Sequence, residues 1–534
     1  MAAKKKAASG ETAEPITLRW DLHELPSSQH RAGLVGLKLM VDWLRRRPDA
    51  KGVCEITECT ASTLALRVDA DGMQALFDET YAATTEEVLS KTPYKGKEPK
   101  RTQEVTVEKK DKRGATQSKS ETRYVYDIVV PGGAWLSEVE PSHEEHRTGW
   151  VKLWRDFIWS ILRGVPATRT PFEERAAGEV SKDGMETFAL LARGAEDAIE
   201  LPSTYSLGAQ AESADAVPVR DRARYRLLLH FWPYVARIYV PTVVDDEGKR
   251  EHSGFAVAIP DVCDVSEMAP AWREVLQGRS SKLLGYRPEG ALIDLPAEAA
   301  LDTFAAITSR VQTAEGRAAT TDLLLAVDVV HCEKEGNNVR VRGLSRVAPR
   351  ARMVDEYQHV RRAYWSQVFR QQRVRNVLAE RPWWDGFDRV LALRPASRTI
   401  GDDYFRRDSR EAFENVEVQM SEQHERTIEG LVYRAIGTYL SGRLKSKYGL
   451  DWSGSKGDEV KKGEYGEKRE KLAKDAFLAV RARTGADFVA YFTGTLCSVV
   501  QHLDEEAYAL LAKELLTSPE RVRTLTLLAL SARG

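Results

Sequence analysis

The sequence predicts an α+β protein, with a mixed α/β N-terminal body carrying β-hairpins and a C-terminal α-helical bundle. Three observations predict it. Apolar and polar residues alternate in short runs near the start, as at Ile16–Asp21 and Thr63–Asp69. Polar turns at 245–253 and 335–338 separate β-rich runs, as hairpin turns do. From about residue 354 onward, apolar residues recur at helical spacing with few breaks. The 534 residues suggest two to four domains. We expect a polar tail at 1–14, a mixed body at 15–353, an Arg/aromatic-rich helical connector at 354–419 and a helical bundle at 420–534.

Taken in order, Ile16–Asp21 reads as a half-buried strand and His23–Gln29 as a turn-rich loop. Leu34, Leu37, Val41 and Leu44 then give a helical stripe that stops at Pro48. Thr63–Asp69 is a second strand, and 72–91 is expected to be helical. Residues 92–122 are polar and Lys-rich. They read as an exposed mobile loop or a long hairpin, closed by a strand at Arg123–Val130. Ser142 and Glu145 fit a capping box. Trp150, Leu153, Trp154, Phe157, Ile158 and Ile161 form one apolar helical face, which Gly164 and Pro166 end.

Residues 224–244 and 254–260 are rich in β-formers and are expected to pair across the turn at 245–253. Leu323–Val330 and Val339–Gly343 predict another hairpin. Ile428, Leu431, Val432, Ala435, Ile436, Tyr439 and Leu440 make a second clean stripe. A charged connector at 451–470 precedes helices at 471–483, 486–502, 504–516 and 519–532. Ser518 and Pro519 supply the last of these with an N-cap and a proline at the first helical position.

Charge narrows the function. The chain has 79 Lys+Arg against 80 Asp+Glu, a net of −1, which argues against a polyanion partner only until it is resolved by region. Residues 91–123 carry a net of +6, dominated by Lys95, Lys97, Lys100, Arg101, Lys109 and Lys110. Residues 340–398 carry a net of +9 from fourteen Arg and no Lys, including Arg340, Arg342, Arg346, Arg350, Arg352, Arg361 and Arg362. The remainder is at −16, so the chain is an acidic body with two basic islands, a pattern that points to polyanion binding. Lysine ammoniums suit phosphate neutralisation without base reading. The second island also holds Tyr357, Tyr364, Trp365, Phe369, Trp383, Trp384 and Phe387, which could stack bases beside the Arg forks or simply form a core under a solvated Arg face.

Catalytic patterns are sparse. Walker A, GxSxG and HExxH motifs are absent. His143 and His146 read as a solvated first turn with too few partners for a metal. Asp402-Asp403 could hold a divalent metal, but no convincing strand precedes it and a helix-capping turn is the expected role. Asp245-Asp246 reads as a hairpin turn. His23 and His30 flank a Pro-Ser-Ser turn, with Glu24 placed to orient one of them, yet no nucleophile is nearby. No metal or cofactor is expected. Five scattered cysteines without a CxxC suit a reducing compartment. No run of ~18 apolar residues occurs, so neither a signal peptide nor a membrane span is expected, and a cytoplasmic location is.

Four groups of segments carry a resemblance. They are Leu22-His23-Glu24-Leu25-Pro26-Ser27-Ser28-Gln29-His30-Arg31-Ala32-Gly33-Leu34, then Arg163-Gly164-Val165-Pro166 with Pro171-Phe172-Glu173, then Ser206-Leu207-Gly208-Ala209-Gln210, then Gly254 to Asp261 (GFAVAIPD). In this order, over residues 16–262, the chain resembles the large subunit of a type I CRISPR interference complex (Cascade) of the MYXAN kind. The resemblance implies a non-catalytic subunit that binds double-stranded DNA at the protospacer-adjacent motif. It would help open the duplex and recruit the helicase-nuclease. Implied partners are the guide CRISPR RNA, the target DNA and the Cascade backbone and small subunits. Gln210 and His30 are candidate motif-reading residues, as polar side chains in turn-rich matched segments. The alternatives are a metal-dependent nucleic-acid enzyme using Asp402 and Asp403, or a purely structural scaffold. The last bundle resembles a Cascade small subunit, and Met420 is a candidate internal translation start, with Met353 second.

Overall fold

In a computed structural model of the chain, the described residues are 14–94, 96–110, 116–132, 149–162, 169–200, 220–244, 249–280, 282–285, 287–311, 320–335, 338–350, 352–423, 427–455, 459–498 and 503–534. The fold is α+β, and every described strand lies before residue 350. The chain divides into two compact units, 1–350 and 351–534.

The first unit opens with β1 (Ile16–Asp21), which buries Leu18 and Trp20 on one face as its alternation predicts. After it comes α1 (Ser28–Leu44), whose N-cap Ser27 accepts from the His30 amide. β2 (Cys54–Cys59) and β3 (Thr63–Val68) complete an antiparallel sheet of order β1-β3-β2. Two glycines let α1 lie directly on its neighbour. A Cβ at Gly33 would meet the Leu228 carbonyl oxygen at 2.2 Å, and one at Gly36 would meet that of Phe231 at 2.3 Å.

The segment at 72–91 is not all helix. α2 (Ala70–Thr80) ends early, and Ala83–Ser90 forms strand β4. Thr84, Thr85 and Val88 are β-branched residues that suit a pleated surface and disfavour further helix. β4 pairs with β6 (Thr116–Pro131), which in turn pairs with β5 (Arg101–Lys110). Of the two readings of 92–122, the long hairpin is therefore the structure, and its closing strand begins at Thr116 rather than Arg123. The Ser142–Glu145 box lies outside the described residues.

In α3 (Gly149–Phe157) and the wider π-helical turn that continues it to Leu162, the six apolar residues from Trp150 to Ile161 are all buried. α4 (Arg169–Ala176), α5 (Lys182–Gly194), β7 (Ala198–Glu200) and β8 (Arg220–Arg222) follow. The expected strand at 224–244 is a strand only in its second half. Ala223–Leu228 is helix α6, Trp232–Tyr234 is a 3₁₀ turn, and β9 spans Arg237–Val244. Leu227, Leu228, Leu229, Phe231 and Trp232 are all buried, so the run carries no period that distinguishes helix from strand.

The main sheet has the order β10-β9-β11-β15-β16, with β10 at Arg250–His252, β11 at Phe255–Val262, β15 at Leu324–Glu335 and β16 at Asn338–Val347. α7 (Val265–Gln277) leads to β12 (Leu283–Leu284) and β13 (Arg287–Pro288), a small antiparallel ladder, and to β14 (Leu292–Ile293), which runs parallel to β9. After α8 (Glu298–Val311), β15 (Leu324–Glu335) and β16 (Asn338–Val347) form the predicted second hairpin, with Glu335 opposite Asn338.

The described structure of the second unit is helical: α9 (Met353–Ala363), α10 (Gln367–Ala379), α11 (Phe387–Leu393), α12 (Asp403–Gln423), α13 (Ile428–Tyr448), α14 (Glu459–Arg481), α15 (Gly485–Tyr491), α16 (Glu505–Thr517) and α17 (Pro519–Arg533). The α13 stripe is buried as expected. α17 is its centre, packed by α12, α13 and α14. Residues Val522 to Ala532 are all buried, so this helix is covered on every side. Its polar members close onto their own helix: Thr526 Oγ1 donates to the Val522 carbonyl at 2.7 Å, and Ser531 Oγ to that of Leu527 at 3.0 Å.

The charged connector at 451–470 is corrected. Most of it belongs to α14, one continuous 23-residue helix. Lys and Glu are good helix formers, and a solvated face needs no apolar stripe, so charge there is compatible with helix. The helix expected over 486–502 is shorter: α15 runs into a π-helical turn at Phe492–Leu496. No helix among the described residues is long and apolar enough to cross a membrane.

Candidate nucleic-acid interface

The described segments that carry the resemblance assemble into a framework rather than a surface. Asp261, at the end of β11, is fully buried and accepts ion pairs from Arg31 on α1 and Arg346 on β16. Arg31 Nη1 also donates to the Leu25 carbonyl at 2.7 Å. Glu24 accepts a two-point contact from Arg224, at 2.9 Å through Nη2. That guanidinium holds the Glu24 carboxyl down at about 2. Arg224 Nη1 reaches the Arg19 carbonyl at 2.7 Å, tying β1 to α6. Gly254 adopts a φ of 63°, and a Cβ there would meet the Cys332 carbonyl oxygen at 2.1 Å. Phe172 is buried edge-on to Tyr81, with ring centroids 5.2 Å apart.

His30 belongs to that framework. It is 3% exposed, its Nδ1 lies 2.8 Å from the Ser27 hydroxyl, and its Nε2 lies 3.0 Å from Asp221 Oδ2. A ring so enclosed has no route to a base edge. Gln210, and the segments 163–166 and 206–210, lie outside the described residues. Glu24 is held by Arg224 and orients neither histidine, while His23 is exposed.

The Lys island lies on and beside the β5–β6 arm. Lys97 Nζ donates to the Asp127 carbonyl at 2.9 Å. Lys100 Nζ sits 3.1 Å from both Glu87 and Asp127, and Arg101 pairs with Glu87 at 2.6 Å. Lys109 and Lys110 end β5, and Lys95 lies outside the described residues. The Arg island begins on β16, an edge strand. Arg340 pairs with Glu335 at 3.0 Å, and Arg342 with Glu333 at 2.8 Å and also with Glu335. Arg346 spans Asp328 at 3.1 Å and the buried Asp261. Lys100, Arg101, Arg340, Arg342 and Arg346 are exposed, but carboxylates already neutralise them, which dilutes their pull on a polyanion.

Beyond β16, Arg350 is followed by Arg352, which takes a left-handed φ of 64° just before α9. Arg361 and Arg362 occupy the last turn of α9, where the helix dipole favours cations, and Arg362 Nη2 donates to Gln358 at 3.3 Å. Four of the seven aromatics, Tyr357, Tyr364, Phe369 and Phe387, are core residues. Trp383 stands edge-on to Phe413 at 5.2 Å, and Trp384 lies under Arg521. Trp365 is the exposed one, at 57%, with the Arg407 guanidinium 4.2 Å from its ring centroid.

Three arginines of the Arg island that the sequence reading did not single out share a groove. Arg375 on α10 and Arg389 and Arg394 at α11 line a groove of about 560 Å³. No Asp or Glu stands three or four residues from Arg375 or Arg394, and Arg389's only such neighbour, Asp385, pairs with Arg381 at 3.1 Å. Arg340, Arg342 and Arg346 lack such a neighbour too and are paired across strands, so sequence spacing alone does not tell the two groups apart.

Asp402 Oδ1 accepts from the Tyr404 amide at 2.9 Å, and Asp403, exposed, pairs with Arg406. A 3₁₀ turn precedes them, so the pair starts α12, as expected of a cap. Among the described residues no group of three or more His, Cys, Asp or Glu is placed to hold a metal. His143, His146, Asp245 and Asp246 lie outside the described residues. Burial pushes the Cys54 thiol up to about 12 and the Cys332 thiol to about 11, which marks them as core residues rather than nucleophiles.

Two family models match the chain in order. The one described as the type I-B CRISPR Cas8b N-terminal domain covers residues 53–317, and the Cas8b C-terminal domain covers 324–533. No curated protein matches it.

Proposed function

We propose, for a chain that belongs to the Cas8b family of type I-B CRISPR large subunits, that it binds target double-stranded DNA at the protospacer-adjacent motif, helps open the duplex and helps recruit the helicase-nuclease, without catalysing a reaction itself. The observation that carries this reading is the ordered match of both Cas8b domains over nearly the whole chain. In such a division of labour the guide RNA reads sequence by pairing, while protein reads a short duplex element and holds backbones electrostatically. The partners in this reading are the guide RNA, the Cascade backbone and small subunits and the recruited helicase-nuclease, in the cytoplasm. Two features support it. Lys100 and Arg101 by the β5–β6 arm and Arg340, Arg342 and Arg346 on β16 are exposed, and the acidic remainder of the chain discourages DNA from coating the molecule.

The test is a complex reconstituted with guide RNA, with and without this chain, on duplexes that differ only in the bases flanking the target. With the chain present, one flanking sequence should bind at least ~10-fold more tightly than the others, the discrimination one or two base contacts supply. Equal binding to all flanks, or the same preference without the chain, would remove motif reading from this subunit.

A further inference from the structure

The groove between α10 and α11 differs from the paired cations of the β5–β6 arm and of β16. Among the described residues no carboxylate pairs with Arg375, Arg389 or Arg394, whereas Lys100, Arg101, Arg340, Arg342 and Arg346 are all paired. The three free guanidiniums are exposed and share one groove. Partial burial of the Arg375 guanidinium and the neighbouring Arg394 charge hold it below its usual range. Asp385 and Asp388 line the same groove beside four arginines, so it is basic on balance, with Asp385 already taken up by Arg381.

The groove is built before any ligand arrives. Asn376 Nδ2 donates to the carbonyls of Pro382, Trp383 and Asp385 at 2.9–3.0 Å, and Gln372 Nε2 to that of Asp385 at 3.0 Å. Both amides are buried, so they fix the loop that forms the groove's floor. Gly386 closes that loop at a φ of 76°, and a Cβ there would meet Gln372 Nε2 at 2.3 Å. At the far end, Arg481 Nη2 donates to the carbonyls of Ala392 at 2.5 Å and Arg394 at 3.0 Å, fixing the last turn of α11. Leu393, 82% exposed, is an apolar contact beside the cations.

We propose that this groove grips successive phosphates of a nucleic-acid backbone through Arg375, Arg389 and Arg394, independently of base sequence. Guanidinium forks match phosphate oxygens in two-point contacts, and a pre-ordered floor lowers the entropy cost of binding. Leu393 offers apolar contact to a sugar or base edge. The proposal rests on the reading that the chain handles nucleic acid, and it adds where the uncompensated charge acts.

The test uses the full chain, labelled duplexes and single strands of two unrelated sequences, and salt from ~50 to ~200 mM. Replacing Arg375, Arg389 and Arg394 together with Gln should weaken binding about tenfold or more at the low-salt end and reduce the slope of log K against log [salt] by about 2–3, equally for both sequences. The triple Lys variant keeps the three charges and should keep the slope, which separates charge loss from misfolding. Neutralising Arg340 and Arg342 should change the slope by less than one, because each is already paired. If the wild type binds and the Gln variant keeps its slope, the groove proposal is wrong and the functional reading stands. If the Gln variant binds nucleic acid normally but fails to join partner subunits, the groove serves an acidic protein surface and the proposal is again wrong. If the wild type binds no nucleic acid under any condition, the functional reading fails with it.

Discussion

Glu24 shows how a single residue's role turns on its partner. Its carboxyl lies well below the usual range because Arg224 donates two hydrogen bonds to it. A depressed carboxylate contributes stability that is complete above its unfolded value, 4.5, and is lost as pH falls through about 2. Glu24→Gln should therefore cost on the order of 1 kcal/mol at pH 7, a figure reduced by solvent screening. The gap between variant and wild type should close as pH falls from 4.5 towards 2. Urea midpoints of both proteins across that range check it, and a gap that stays constant would detach Glu24 from Arg224. In the sequence, Glu24 beside His23 resembled half of an acid–base pair. The true partner lies 200 residues away, a separation that local spacing does not encode. His30 misled in the same way: its polarity suggested a surface reader, while its hydrogen bonds serve the fold.

At the scale of elements, the periodic segments were legible and the aperiodic ones were not. The stripes of α1, α3 and α13 lie where their spacing put them, because one buried face imposes a 3.6-residue period. The run at 224–236 is buried almost throughout, with Arg224 and His230 inside it, so it gave no period. α14 is charged on most of its surface, so it looked like a linker. Where α1 meets α6, fit is decided by glycine. Gly33→Ala should destabilise the protein by about 2 kcal/mol, overpacking against the Leu228 carbonyl outweighing the gain in helix propensity. Gly463→Ala on α14 meets nothing within 4 Å and should stabilise by about 0.5–1 kcal/mol. Opposite signs in thermal denaturation are expected. The same sign for both would mean that α1 is not docked through Gly33.

For the molecule as a whole, net charge was the least informative number and regional charge a better one, but only the structure separates paired cations from free ones. Pairing across strands, as between Arg346 on β16 and Asp261 on β11, cannot be read from a one-dimensional count. The second unit raises a question of gene products. A chain started at Met420 would hold 115 residues and keep α13 to α17, that is, the buried α17 with most of its neighbours, while losing most of α12. We expect a C-terminally tagged gene to yield this short product and Met420→Leu to abolish it on an immunoblot. An undiminished short band would rule out that start.

The contacts of α1 have a consequence for biosynthesis. The helix and the turn before it leave the ribosome well before their partners exist, since the Arg224 that meets Glu24 is 200 residues downstream and the Asp261 that meets Arg31 is 230 residues downstream. At ~5–20 residues per second, the helix's apolar face would wait roughly 10–40 s before residues 223–262 emerge to cover it. The N-terminal quarter of the nascent chain is thus a natural client for a chaperone, and synthesis that stalls before β11 would release an aggregation-prone fragment rather than a partly working subunit.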